Sequence, residues 1–333
     1  MNTQSLPSSL LGVDMAKASF VARLVNPAKV HSASFTNDAT GWAQLDGWLG
    51  QHHCKEVLAG LEPTGPYAAG LLWHLHCRGH TVCLINARHL RHYGRSLGRK
   101  VKTDHTDAAL IADYLKAHAA HLRPWQPPTQ EILLLQGLVR RRQQVLGLLQ
   151  AERNRTEGVT QPVIKASLQR QIGHLKTEMA RLDKAIEKHV LDHPKLQHCV
   201  RLLCTIPGIG PMVATTILAE VPALSAFAHA RDLAAFAGLT PSVIQSGTSV
   251  HRRGRLTKEG SALLRKMLYM AALQAVKRPT NALHRCYQHF IERGKSKMCA
   301  IGALMHKLIR IAFGVLKHDQ PFVANFAKLH SLT

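Results

Sequence analysis

Four carboxylates stand where apolar runs end or a helix begins. Asp14 closes the run in LLGVDMAKASF, Glu62 closes EVLAGLE, and Asp104 and Asp107 lie in KTDHTDA. The i, i+3 spacing sets Asp104 and Asp107 on one side of a helix. An apolar stripe of Ala108, Ile111, Ala112 and Leu115 lets that helix pack on a sheet, so strand-end acids and helix acids can converge at one edge. Carboxylates crowded together favour each other's protonation, and a divalent cation removes the conflict. Mg2+, or Mn2+ in its place, suits ligands that are all oxygen. Two such ions about 3.5–4 Å apart serve phosphoryl transfer. Any one of these acids alone reads as a surface or capping residue. Together, beside the basic run RHLRHYGRSLGRKVK at 88–102, they point to a phosphodiester site.

Hydroxyl nucleophiles are offered by SVIQSGTSVHRRGRLTKEG at 242–260, where Ser242, Ser246, Thr248 and Ser249 are equal candidates on residue type. A serine hydroxyl needs a base or a metal to activate it, and no His/Asp partner stands at a telling spacing. Contact with phosphate alone is the plainer role for these serines. The phosphate-binding cations are Arg88, Arg91, Arg95, Arg99, Lys100 and Lys102 in the first basic run, and Arg252, Arg253, Arg255 and Lys258 in the second. IPGIG at 206–210 puts Gly208 and Gly210 at a helix N-terminus, where backbone N–H groups can cradle phosphate; a plain helix–helix turn is the alternative.

The elements that must position these residues follow from periodicity. LLGVD, FVARLV and KVHSASF read as three strands, ended by turn signals NPA and ND. A helix over Ala39–His52, a fourth strand at EVLAGLE, a helix over PTGPYAAGLLWHLHCRG stopped by Gly79, and a fifth strand at TVCLINA give a mixed α/β sheet. Thr103 is the N-cap of the helix carrying Asp104. RPWQPPTQ at 123–130 breaks the chain. Two long helices follow, separated by Pro162. Ile132, Leu135, Val139, Arg142, Leu146 and Leu149 mark the first stripe; Leu168, Ile172, Leu175, Met179, Leu182 and Ile186 mark the second. Such 3-4 spacing reads as a coiled coil or helical hairpin; a buried bundle within one subunit and a seam between two chains both satisfy it, with the seam slightly favoured. After Pro194 the chain is helical and basic. The expected domains are 1–125, 126–193 and 194–333.

Lys plus Arg number 43 against 20 Asp plus Glu, a formal charge of +23 and a pI near 10.2. That excess predicts a polyanionic partner, nucleic acid first. The sequence reads as lacking any 18-residue apolar run, signal peptide or lipidation motif, so no membrane partner is expected. Seven cysteines without CxxC read as reduced, mostly buried thiols of a cytosolic protein. HLHC at 74–77 has no second ligand pair for zinc.

The segments GVDMAK, LEPTG, KTDHTDA, IPGIG, FAGLTP and SGTSV, in that order, resemble the DEDD transposases of insertion sequences. That family is also described as bridge-RNA-guided serine recombinases, with Piv/MooV invertases as a sister branch. The resemblance spans about residues 10–318 and implies an RNase H-like (RuvC-like) N-terminal domain; the residues themselves add the coiled-coil middle and a mainly helical C-terminal domain with a helix-hairpin-helix-like element around IPGIG. It implies that Asp14, Glu62, Asp104 and Asp107 bind metal, and that Ser246 attacks DNA and holds it covalently. It further implies donor and target DNA, a structured guide noncoding RNA, dimers assembling into tetramers, and action at the bacterial nucleoid in the cytoplasm. Here HRRGR sets the glycine at Gly254, two positions later than the family's usual Arg-Gly pair. The rivals are a RuvC-like nuclease using water and a non-catalytic nucleic-acid-binding protein.

Overall fold

The apolar run around Gly12 forms β1 (Leu10–Met15). It pairs antiparallel with β2 (Ser19–Val25), which pairs antiparallel with β3 (Val30–Thr36). α1 (Ala39–Gln51) starts at Asp38, whose carboxylate accepts the Gly41 N–H at 2.9 Å and is thereby held below its usual pKa. β4 (Leu58–Leu61), α2 (Ala69–Cys77) and β5 (Thr81–Leu84) follow, then α3 (Ala87–Ser96) and α4 (Asp104–His118). Both β4 and β5 are parallel additions, so the sheet order is β3-β2-β1-β4-β5. The computed structural model describes residues 7–27, 29–63, 65–98, 103–221, 224–246 and 250–324.

Alternation along the strands explains the layers. Leu11, Val13 and Leu61 point to a core with Leu45, Leu49 and Leu71 of α1 and α2. Leu58 turns the other way, into a core with Leu90, Ile111 and Leu115 of α3 and α4. All four residues of β4 are buried, as a strand covered on both faces requires. The N-terminal sheet is thus mixed α/β, consistent with the RNase H-like expectation. The single helix read over PTGPYAAG is instead a 3-10 turn at Gly65–Ala68 followed by α2, with Gly65 at φ 56°. The histidines of HLHC have neighbours of their own: His74 Nε2 meets Asp46 at 3.0 Å, and His76 lies edge-on to Trp125.

By contacts the chain divides into two compact units, Met1–Pro127 and Pro128–Thr333. The second opens with α5 (Gln130–Arg155) and α6 (Pro162–Leu191), with Pro162 at the first helical turn. These helices pack on each other. Val145 and Leu149 of α5 bury against Leu175 and Leu182 of α6. Arg142, within the apolar stripe, is satisfied by an ion pair with Asp183. A short connection returns α6 along α5, so these parts of the two stripes meet within one chain.

α7 (Pro194–Cys204), α8 (Pro211–Glu220), α9 (Ala230–Phe236), α10 (Ala262–Val276), α11 (Ala282–Glu292) and α12 (Lys297–His318) build the rest, with the two-stranded sheet β6 (Pro241–Ser246) and β7 (Val250–Leu256). One further correction concerns α12, which is long and apolar enough to cross a membrane by composition. Its residues Leu304, Leu308 and Ala312 are fully buried among α7, α9 and α10, so its apolarity is that of a core helix. The cysteines are all free, but only Cys83 and Cys286 are buried, fewer than expected.

Candidate active site

Asp14 lies on β1 and Glu62 directly follows β4, parallel neighbours whose last register pair is Val13↔Leu61. The two acids therefore stand side by side at one sheet edge, both half-buried. They share a face with Gly12 and Gly60, two residues earlier on each strand. That face is covered by α4. A Cβ on Gly12 would stand 2.2 Å from the Ala108 carbonyl oxygen and 2.6 Å from the Ala112 nitrogen. One on Gly60 would collide with Leu115 and Ile85. The missing side chain at Gly12 thus lets the backbone of α4 touch the strand. Asp107 immediately precedes that contact and Asp104 opens the same helix. Thr103 caps it: its hydroxyl accepts the Thr106 N–H, and the Thr106 hydroxyl accepts the Thr103 N–H at 2.8 Å. Asp107 is half-buried and Asp104 exposed.

The register sets Asp14 and Glu62 side by side, and Asp104 and Asp107 lie in the first turn of the helix that packs on Gly12. Among the described residues no group of three or more His, Cys, Asp or Glu side chains is arranged to hold a metal ion. The donor chemistry of the four still fits a hard divalent cation, since all are carboxylates.

Arg88, Arg91 and Arg95 are exposed on α3, opposite buried Leu90 and Gly94. Asn86 caps that helix, accepting the Arg88 N–H at 2.8 Å. Arg99, Lys100 and Lys102 lie outside the described residues. Gly208 has φ 90°, and a Cβ there would stand 2.3 Å from the Ala271 carbonyl oxygen, so close packing on α10 accounts for this glycine. Gly210 is the N-cap of α8, with open space beside it.

Ser246 ends β6 and pairs with Val250; Thr248 and Ser249 lie outside the described residues. Arg252 pairs with Ile244 and Arg255 with Ser242, and the register shifts between them, where Arg253 and Gly254 fall. For Ser246, Arg252 and Arg253 the description is of backbone only. Arg255 and Lys258 are exposed, and Lys258 takes φ 57°.

Sequence reasoning missed the groups that hold the base of this hairpin. Lys258 N–H donates to the Gly238 carbonyl and Thr257 N–H to the Thr240 carbonyl, each at 3.0 Å. Arg265 Nη1 donates to the carbonyls of Gly260 at 2.9 Å and Ala237 at 3.3 Å, and burial lowers its pKa. Ser261, the N-cap of α10, donates to Glu220 Oε2 at 2.8 Å, while Arg140 of α5 holds Oε1 at 2.8 Å. The glycines of FAGLTP and KEG were the visible signal: Gly238 and Gly260 both have positive φ and leave no room for a Cβ. Their partners are remote in sequence, so no spacing pointed to them.

Comparison with known proteins adds two family matches. A DEDD transposase family of the IS110 type matches residues 11–162, and the family described as Transposase IS116/IS110/IS902 matches residues 200–288. The pilin gene-inverting protein of Moraxella bovis is 31% identical over 319 residues, covering 95% of this chain and 98% of that protein. Its counterpart in Moraxella lacunata is 30% identical over the same length. The transposase for insertion sequence element IS1111A of Coxiella burnetii is 28% identical over 356 residues, covering 94% of this chain and 91% of its own.

Proposed function

Because the chain belongs to the IS110/IS116 family of DEDD transposases, we propose that it cuts and rejoins DNA strands at a divalent-metal site formed by Asp14, Glu62, Asp104 and Asp107, with Ser246 as nucleophile. The observation that carries the metal site is the pairing of Asp14 and Glu62 at adjacent strand ends, under the helix whose first turn holds Asp104 and Asp107. Mg2+ or Mn2+ bound there would neutralise charge on the phosphate and favour the ionised form of the attacking hydroxyl.

The chain's own residues then have separable tasks. The four carboxylates hold the reacting phosphate's surroundings in register. Ser246 Oγ loses its proton and bonds to phosphorus as the P–O bond to a 3′ oxygen breaks. The product is a phosphoserine-linked strand and a free 3′-hydroxyl. Attack by another strand's 3′-hydroxyl on that phosphoserine restores a phosphodiester and frees the serine. Arg88, Arg91 and Arg95 on α3, the run at 99–102, and Arg252, Arg253, Arg255 and Lys258 around β7 supply phosphate contacts; Gly210 offers a helix N-terminus. The RNase H-like assignment of the sheet, the helix-hairpin-helix role of α7 and α8, a structured guide RNA, and dimers assembling into tetramers belong to the same proposal. The net charge of +23 supports both nucleic-acid partners. DNA inversion, the activity in the Moraxella relatives' names, falls within the same chemistry.

A second reading uses water in place of Ser246. It is favoured by the carboxylates all lying in the first compact unit while Ser246 lies in the second. The test is strand cleavage in Mg2+ by Glu62→Gln and Asp104→Asn. Cleavage falls below about 1% of the parent in each, with nucleic-acid binding nearly intact. Full cleavage by either variant removes that residue from the metal site. Sequencing RNA that co-purifies with the chain tests the guide: a single structured species supports it, and only random cellular RNA contradicts it.

A further inference from the structure

We infer that Asn37 is a positioning residue that fixes the separation of Asp14 and Glu62 by clamping the loops that follow them, an inference that rests on the carboxylate reading above. Asn37 lies between β3 and α1, on neither acid's strand. Its backbone N–H donates to the Ala18 carbonyl at 2.9 Å. Its side-chain Nδ2 donates to the Tyr67 carbonyl at 3.0 Å and points a second hydrogen at the carbonyls of Ala16, at 3.4 Å, and Lys17, at 3.5 Å. Its Oδ1 accepts from Trp42 Nε1 at 3.2 Å, which sets the orientation of the amide. One half-buried side chain therefore joins the turn just after Asp14, the 3-10 turn just after Glu62, and the start of α1.

β4 ends at Leu61, whose register partner is Leu84, so Glu62 lies beyond the last ladder pair between these strands. The β1–β2 ladder already holds Asp14 against Val21 and Met15 against Phe20, and Asn37 adds a side-chain tie from that turn to the turn after Glu62. An amide suits the position because it has two donors for the carbonyls and an acceptor for the tryptophan. An Asp there keeps the acceptor but turns lone pairs toward three carbonyl oxygens.

The experiment uses the full chain and titrates it with Mn2+, reading bound metal by electron paramagnetic resonance. Cleavage is measured in parallel against Mg2+ concentration. Asn37→Asp is expected to bind Mn2+ about 10-fold more weakly and to need about 10-fold more Mg2+ for half-maximal cleavage, the size of effect that second-layer partners of metal ligands produce. Saturating Mg2+ restores its cleavage. Unchanged Mn2+ affinity, or cleavage lost at saturating Mg2+ with affinity intact, overturns the inference. If Asn37→Asp does not fold, Trp42→Phe decides. It frees the amide while keeping a ring, and a two- to threefold shift in the same direction is expected; a folded Trp42→Phe with unchanged Mn2+ affinity overturns the inference. Asp14→Asn separates the two ideas. If it binds Mn2+ and cleaves like the parent, the carboxylate reading fails; if it loses both while Asn37→Asp changes nothing, only the role of Asn37 fails.

Discussion

In the N-terminal unit the candidate acids stand on elements locked by backbone contact. α4 touches β1 at Gly12, and every residue of β4 is buried. In the C-terminal unit Ser246 ends a two-stranded hairpin whose anchors gather at its base, around Gly238, Gly260 and Arg265. The difference ties stability to chemistry in the first unit. Disturbing the packing beneath the acids changes folding and catalysis together.

The helical hairpin gives the largest expected effect and sets a scale for core damage in the second unit. Leu182→Ala should cost about 2–5 kcal/mol, because Leu182 is buried against α5. Thermal unfolding measures it. An unchanged melting temperature with a lowered oligomer mass would return this seam to a contact between chains. Gly12→Ala should cost about 1–3 kcal/mol by forcing α4 away from β1, and it should lose cleavage as well. Wild-type stability would show that α4 is not locked there. In the hairpin the expected effect is on binding: neutralising Arg252 and Arg253 together should flatten the log–log salt slope of DNA binding by about two units. An unchanged slope would place the DNA elsewhere.

The smallest effect is pH dependence, which both units share. Burial lowers the pKa of His80 in the first unit and His306 in the second from 6.5, and the Arg310 charge lowers His306 further. Below pH 6.5 the unfolded chain binds more protons than the folded one. Stability is therefore full above that pH and declines as the pH falls through 6.5 toward the lowered folded values. Urea midpoints at pH 5.5 should lie below those at 7.5; equal midpoints would show that neither imidazole resists protonation.

Much of the first unit was legible because its signals are local. Alternating apolar residues marked the strands, and strand-end acids and a capped helix marked the candidate site. The sequence also held the two glycines that let α4 approach the sheet, but nothing local said what they touch. Asn37 was read only as part of a turn, since its partners at Ala16 and Tyr67 are distant along the chain. The closing of the α5–α6 stripes on each other was equally hidden, because periodicity records an apolar face and not its partner. For the serine, residue type left four hydroxyls open, and only the family resemblance singled out Ser246.

The most direct test is a denaturing gel of the full chain incubated with end-labelled donor DNA, its co-purified RNA and Mg2+. Protein-linked label should form with the parent chain and vanish in Ser246→Ala, Asp14→Asn and Glu62→Gln, all of which still bind DNA. Acids and serine acting as one unit make these losses non-additive. Label that persists in Ser246→Ala, or cleavage without any protein-linked label in the parent chain, would contradict a serine intermediate; an unaltered adduct in Asp14→Asn and Glu62→Gln would contradict the carboxylate site.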